Sequence, residues 1–322
     1  MSNNLFSPLI NSLCQVPKSL YNILYQLPKY ASYELPPKET RIGDMSFPIG
    51  VTKTDKMYLN IGQRNVHTLI TGASGYGKSN LLNSIICSIT QLYPNTQLLL
   101  LDFKAVELAP YNSMSNVITY QYQGDKITNT LEQLYQSILS KYEQMLSNNK
   151  RCVSVYDTRT VVIIDEVSLC NRKKDIPLLE KCMAISRACG VHFILALQRA
   201  DSIVLSPIIR NLLDNIVTFK LDLNTSNLVL SNDNASLLDT VGKGIFKLSD
   251  KSIEFQSYHV TDNVIDTVVK ANTSTVNINP KAKDININPK AKDNTPIVKR
   301  EFNIPTVNTI VNEENASWID RL

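Results

Sequence analysis

The sequence predicts an α/β domain with a mainly parallel central sheet flanked by helices. Three observations lead there. Apolar runs at 67–71, 97–102, 160–165, 192–197, 216–221 and 244–248 are continuous and not alternating. Such runs suit strands buried on both faces. Helical patterns at 78–92, 125–145, 178–188 and 207–213 fall between them, the order that helices covering a parallel sheet require. A glycine-rich segment sits at the junction of the first run and the first helix.

That segment is Gly72-Ala73-Ser74-Gly75-Tyr76-Gly77-Lys78-Ser79. It fits the phosphate-binding pattern G-x-x-x-x-G-K-[ST] in full, with a strand leading in and a helix leading out. Glycine is otherwise scarce: of ten in the chain, three fall in these eight residues. They let the backbone curl so that N–H groups face phosphate oxygens, and the helix N-terminus adds positive potential. Lys78 is expected on the β- and γ-phosphates of ATP and the Ser79 hydroxyl on Mg²⁺.

The run at 160–165 ends in Asp165-Glu166. In such a fold that end lies beside the phosphate loop. Asp165 is then the second Mg²⁺ residue, through water, and Glu166 orients or deprotonates the attacking water. Gln198 closes the run at 192–197 and is a candidate sensor of the γ-phosphate, although a strand-end turn reads the same way. The expected activity is ATP hydrolysis, with Lys78, Asp165, Glu166 and Gln198 as catalytic residues.

Composition bounds the rest. The 322 residues are 43% hydrophobic and 19% charged, enough for one well-buried domain with length left for tails. A net charge of +4 neither demands nor excludes nucleic acid, so any contact must be local. The six cysteines form no C-x-x-C pair and read as core residues of a reducing compartment. The three histidines read as structural. With no secretory signal and no apolar stretch of bilayer length, the expectation is a soluble cytoplasmic protein.

Three regions follow. Residues 1–45 are a leader of apolar residues at helical spacing, broken by Pro8, Pro17 and Pro28 and expected to dock on the protein or its oligomer. Residues 46–262 are the ATPase domain. Residues 263–322 are rich in Asn, Lys and Pro and contain a direct repeat with a nine-residue period, at 278–284 and 287–293. They read as a disordered tether. Their end carries the only tryptophan, Trp318, in an apolar cluster that reads either as a docking peptide for a protein partner or as plain disorder.

The residues around the loop add a resemblance. Phe47-Pro48-Ile49-Gly50-Val51 and the run Asn65 to Gly72 look like the opening of the FtsK/SpoIIIE motor domain. Asp102-Phe103-Lys104-Ala105-Val106-Glu107-Leu108 resembles that family's D-P-K-x-x-E-L segment, with Phe103 in place of proline. Ser186 to Ala200 is similar to its R-A-x-G-I-H-x-x-x-A-T-Q-R-P stretch, and Val241-Gly242-Lys243-Gly244 to its late G-x-G turn. The matches keep order over about residues 46–250. The resemblance implies a RecA-like fold, a hexameric ring, ATP hydrolysed between subunits, double-stranded DNA threaded through the pore, and Gln198 as γ-phosphate sensor.

The departures are informative. Where the family pattern N-I-P-x-R-I carries arginine, this chain has Asn215, and Leu197 stands where threonine precedes the sensor glutamine. A trans arginine therefore has to come from elsewhere, with Arg187, Arg199 and Arg210 as candidates, or hydrolysis is slow. The family's membrane-spanning region and winged-helix module have no counterpart, which suggests a compact motor of plasmids, phages or other mobile elements. Arg172, Lys173 and Lys174, after the acidic strand, are the candidate DNA contact, and a solvated basic turn is the alternative. Competing functions are a single-strand helicase or packaging ATPase, and an ATP-dependent assembly or recruitment protein with little translocation.

Overall fold

The computed structural model describes residues 31–34, 45–152, 158–200 and 202–273. All belong to the first of two compact units, residues 1–275. The second unit, 276–322, lies outside the described residues, as do most of the leader, the repeat and Trp318.

In chain order the strands are β1 (Ala31–Ser32), β2 (Met45–Val51), β3 (Lys56–Ile61), β4 (Thr68–Thr71), β5 (Gln97–Leu101), β6 (Val117–Gln121), β7 (Thr160–Ile164), β8 (Val191–Leu197), β9 (Asn215–Thr218), β10 (Lys243–Leu248) and β11 (Lys251–His259). The α-helices are α1 (Lys78–Leu92), α2 (Gly124–Ser147), α3 (Asp175–Ser186), α4 (Pro207–Leu212), α5 (Leu223–Leu230) and α6 (Asp262–Asn272).

The strands form one sheet in the order β3-β2-β11-β10-β9-β4-β8-β7-β5-β6, with β1 beside β11. From β9 to β6 all neighbours are parallel. The other wing, β10-β11-β2-β3, is antiparallel. The sheet is therefore mixed, and the sequence reading anticipated its parallel half better than its antiparallel half. The reason is visible in β11, whose first four residues are exposed, three of them polar, and give no continuous apolar run.

The central strands β4, β5, β7 and β8 have almost entirely buried side chains, as continuous apolar runs require. Their residues alternate between faces. Ile70, Leu98, Leu100, Val161, Ile163, Ile194 and Ala196 pack with α1 residues such as Leu81, Ile85 and Ile89. Helices α2 and α3 pack together elsewhere, where the Cys182 thiol reaches the Leu131 carbonyl and the Cys189 thiol the Ile138 carbonyl.

Two boundaries move. The domain does not stop at 262: α6 buries Ile265 and Val268 in the α1 core, and the Ser115 N–H donates to the Asn272 carbonyl at 2.9 Å. Part of the presumed leader also belongs to the fold. Ala31 and Ser32 pair with β11, and the Tyr33 hydroxyl bonds the Ser88 hydroxyl at 2.8 Å. Composition hid both, because α6 is half polar and β1 is two residues long.

The histidines are structural where they are buried. His67 Nδ1 accepts from the Phe193 N–H at 3.1 Å, which leaves Nε2 to donate to the Met183 carbonyl at 3.1 Å. Burial pulls its pKa down to about 4, and that of His192 to about 3. The described cysteines are all free, and Cys87, Cys170, Cys182 and Cys189 are buried. Among the described residues no helix is long and apolar enough to cross a membrane.

Candidate nucleotide site

Parallel pairing brings the predicted residues to one edge. The C-terminal ends of β4, β5, β7, β8 and β9 lie together, because Thr71 is opposite Leu197 and Thr218, and Ile164 is opposite Leu101 and Leu195. Carboxyl ends of parallel strands are where α/β sheets bind ligands. The phosphate loop follows β4, Asp165 and Glu166 follow β7, and Gln198 follows β8. Strand β8 is inserted between β4 and β7, so its tip falls between the loop and the acids.

The loop is held from below. Gly72 N–H donates to the Leu197 carbonyl at 3.3 Å and Ala73 N–H to the Lys220 carbonyl at 2.7 Å. These two donors frame the loop and do not face a ligand, which narrows the sequence expectation. Among the described residues, the N–H groups of Ser74, Gly75, Gly77, Lys78 and Ser79 have no protein acceptor. Gly77 takes φ +116°, a conformation that L side chains rarely adopt, and caps α1 without a side chain. Five open donors at a helix N-terminus form an anion cradle.

Lys78 is 5% exposed, with Nζ 3.4 Å from Asp165 Oδ1, 3.2 Å from the Asp165 carbonyl and 4.0 Å from Glu166 Oε2. Asp165 is fully buried, and its Oδ2 has no hydrogen-bond partner among the described residues. Burial pushes its carboxyl above the usual range, while Lys78 and then Lys104 pull it back. Glu166 is held at both oxygens. Oε1 accepts from the Ser168 hydroxyl at 2.6 Å and the Gln198 N–H at 3.1 Å, and Oε2 from Lys104 at 3.0 Å. Two lysines and two carboxylates therefore neutralise one another, three of the four buried, where an unpaired charge is costly. Ser168 and Lys104 were not assigned to the site from sequence: Ser168, two residues beyond Glu166, carries no motif of its own, and Lys104 meets Glu166 only through strand order.

The late glycine turn is part of the same site. Gly242 N–H donates to the Tyr76 carbonyl at 3.0 Å, and a Cβ on Gly77 would lie 3.3 Å from Gly242 Cα.

Residues 33–167 match the FtsK/SpoIIIE family. That match covers less than half of the chain. The G-x-x-x-x-G-K-S loop between a parallel strand and α1 makes this a P-loop fold. It is 26% identical over 235 residues to the DNA translocase FtsK of Mycobacterium leprae, covering 64% of this chain and 28% of that protein. To the DNA translocase SftA of Bacillus subtilis it is 29% identical over 227 residues, 63% of this chain and 24% of that one. The chain thus spans under a third of the length of these curated relatives. Among solved structures, the pCW3 conjugation coupling protein TcpA, in its monomer form with ATPγS, superposes with a TM-score of 0.65 at 20% identity, over 77% of this chain and 75% of that one. The cytoplasmic domain of the Thermomonospora curvata type VII secretion ATPase EccC gives 0.63 at 20% identity, over 78% of this chain and 33% of that one. Both likenesses are of fold alone.

The remaining candidates scatter. Arg172, Lys173 and Lys174 are exposed on a turn between β7 and α3. Asn171 Oδ1 accepts the Lys173 and Lys174 N–H groups, and Asp175 Oδ2 accepts the Asn171 N–H at 2.7 Å. Arg199 is exposed on the nucleotide edge beside Gln198, whereas Arg187 is exposed just before β8, at the opposite edge. Arg210 lines a cavity of about 600 Å³ at that opposite edge, with Arg64 and Lys247. Asn215, at the family's arginine position, is fully buried and donates to the Asn60 carbonyl at 2.9 Å. It reaches no surface.

Proposed function

We propose that this chain is the ATP-hydrolysing motor of a DNA translocase. The observation that carries the reading is the convergence of Lys78, Asp165, Glu166 and Gln198 on one strand edge, beside five open N–H donors. The names of its curated relatives, DNA translocases FtsK and SftA, support the choice of DNA as the track.

In this reading ATP phosphates occupy the cradle and Lys78 turns from the acids to the β- and γ-phosphates. Glu166 takes a proton from water attacking in line, and Gln198 senses the γ-phosphate. Mg²⁺ fits the Ser79 hydroxyl and Asp165, whose buried Oδ2 lacks any other partner among the described residues. Bound there, it supplies positive charge to the phosphate oxygens. The protein acts in the cytoplasm as a hexameric ring with ATP at subunit interfaces, and Arg172, Lys173 and Lys174 track double-stranded DNA by its phosphates. Arg187 and Arg210, remote from their own nucleotide edge, and Arg199 beside it, are the arginines open to a neighbour. The setting is a plasmid, phage or other mobile element, and the task transfer, segregation, replication or packaging.

A second reading is an ATP-dependent recruitment protein, with a partner for the segment around Trp318. The burial of Asn215 favours it, since the family's arginine has no substitute at that position. The test is ATP hydrolysis by the purified chain alone, with long duplex DNA and with single-stranded DNA. Strong stimulation by duplex supports the motor. ATP binding with negligible turnover in all three conditions overturns it in favour of recruitment.

A further inference from the structure

Lys104 stands out among the groups at the nucleotide edge, because it falls in the D-P-K-x-x-E-L-like segment and yet has no role in the site proposed above. Its Nζ lies 3.0 Å from Glu166 Oε2, the same oxygen that Lys78 Nζ approaches at 4.0 Å. Two ammonium groups thus converge on one carboxylate oxygen. Their bases differ. Lys78 is buried on the first turn of α1, whereas the Lys104 side chain is 34% exposed. The backbone beneath Lys104 is fixed: Asp102 Oδ1 accepts the Lys104 N–H at 3.2 Å and Oδ2 the Leu108 N–H at 2.9 Å. Between them Ala105 takes φ +55°, a conformation tolerated where the surroundings over-determine it. Lys104 is a long flexible cation on a rigid base.

Where that cation can go is limited. The space between Lys78, Glu166 and the Gln198 tip is where a terminal phosphate and its attacking water belong if the cradle holds ATP. The geometry points to Lys104 as a catalytic residue acting within its own subunit, whose ammonium passes from Glu166 to the γ-phosphate of bound ATP. The inference rests on the nucleotide site proposed above and adds a second cation to it.

One displacement does two things. It places positive charge on the γ-phosphate oxygens, where charge is borne in the transition state. It also frees Glu166 Oε2, leaving Oε1 held by Ser168 and the Gln198 N–H. The freed oxygen accepts one proton from water as the new O–P bond forms. The bond between the γ-phosphorus and the bridging oxygen breaks, and its electron pair leaves on the β-phosphate of ADP. ATP and water become ADP and phosphate, and Glu166 later releases the proton to solvent. Because ADP offers no γ-phosphate, Lys104 stays on Glu166 with ADP bound. A cation in cis also meets the need left by Asn215, which is buried and uncharged.

The experiment compares the full-length chain with Lys104→Ala, Lys104→Arg and Lys78→Ala. Dissociation constants for ADP and ATPγS are measured by calorimetry, and kcat and KM for ATP by phosphate release. In Lys104→Ala, ADP affinity is expected to hold while ATPγS affinity falls about tenfold or more, the loss of one charge-assisted hydrogen bond. Its kcat should fall by on the order of 10²-fold, and Lys104→Arg should recover most of the preference for ATPγS. Equal losses for both nucleotides, or no loss for either, overturn the assignment. So does a rise in kcat, which would make Lys104 a restraint on Glu166 and nothing more. Lys78→Ala separates the two levels: if it keeps full affinity for both nucleotides, the nucleotide site itself is misassigned. The affinity comparison decides even where turnover is slow.

Discussion

The Gly242 N–H donates to the Tyr76 carbonyl at 3.0 Å, joining two segments far apart in sequence at the crown of the phosphate loop. Gly242 has φ +77°, and a Cβ there would lie 2.5 Å from Gln256 Nε2. The Gln256 amide in turn donates to the Val241 carbonyl at 3.1 Å, and the Ser257 N–H to the Gly242 carbonyl at 2.8 Å. Strand β11 therefore sets the turn, and the turn sets the loop. Gly242→Ala is expected to cost about 1–3 kcal/mol through backbone strain and the displaced amide, and to weaken nucleotide binding. Thermal unfolding with and without ATPγS reads both effects. Unchanged values in both would remove the turn from the site.

Lys78→Ala should bind nucleotide weakly and hydrolyse none. Glu166→Gln should keep nucleotide binding and lose turnover, because the amide still accepts from Ser168 and Gln198 but takes no proton from water. Titration with ATPγS and a phosphate-release assay separate the two. A recruiting activity that survives Glu166→Gln would favour the recruitment reading.

The triple replacement of Arg172, Lys173 and Lys174 by alanine is expected to weaken duplex binding at every sequence. The slope of log affinity against log salt should fall by about 0.9 for each phosphate that is no longer neutralised. The turn itself should persist, since Asn171 and Asp175 shape it through backbone donors. An unchanged slope would place the DNA-binding surface elsewhere.

Truncation distinguishes the two boundaries. Deleting 276–322 should leave folding and nucleotide binding intact. Deleting from 263 removes Ile265 and Val268 from the core, at about 1.5–3 kcal/mol for each buried side chain. Urea unfolding of the two truncations compares them directly, and equal stability would show that α6 contributes nothing.

Acid should destabilise the fold through His67 and His192. Their folded pKa values are depressed to about 4 and about 3, below the ordinary value of 6.5. The unfolded chain therefore binds more protons, and stability falls as pH drops from about 6.5 toward 4. For His67 the full shift corresponds to about 3 kcal/mol. Melting temperatures across that range in His67→Gln, which keeps a donor toward the Met183 carbonyl, should decline less steeply than in the parent chain. Parallel curves would count against the assignment.

Much of the site was legible in the sequence. The helix expected at 78–92 is α1 end to end, and β4, β5, β7 and β8 fall within a residue of their apolar runs, whereas β9 ends at Thr218 instead of 221. There the chain leaves the ladder so that the Lys220 carbonyl can accept from Ala73. Strand β6 and helix α5 were not anticipated, because β6 is only half buried and α5 is eight residues of mixed polarity.

The sequence by itself determined the parallel strands β4, β5, β7 and β8, the glycine-rich loop and the acidic strand end. Each rests on local chemistry: apolar runs that must be buried, glycines that permit positive φ, and a lysine at a fixed spacing from them. Only the tertiary structure decided what Lys104, Gly242 and Asn215 do. Their partners are Glu166, the phosphate loop and β3, and contacts between distant strand ends follow from strand order, which no local pattern encodes.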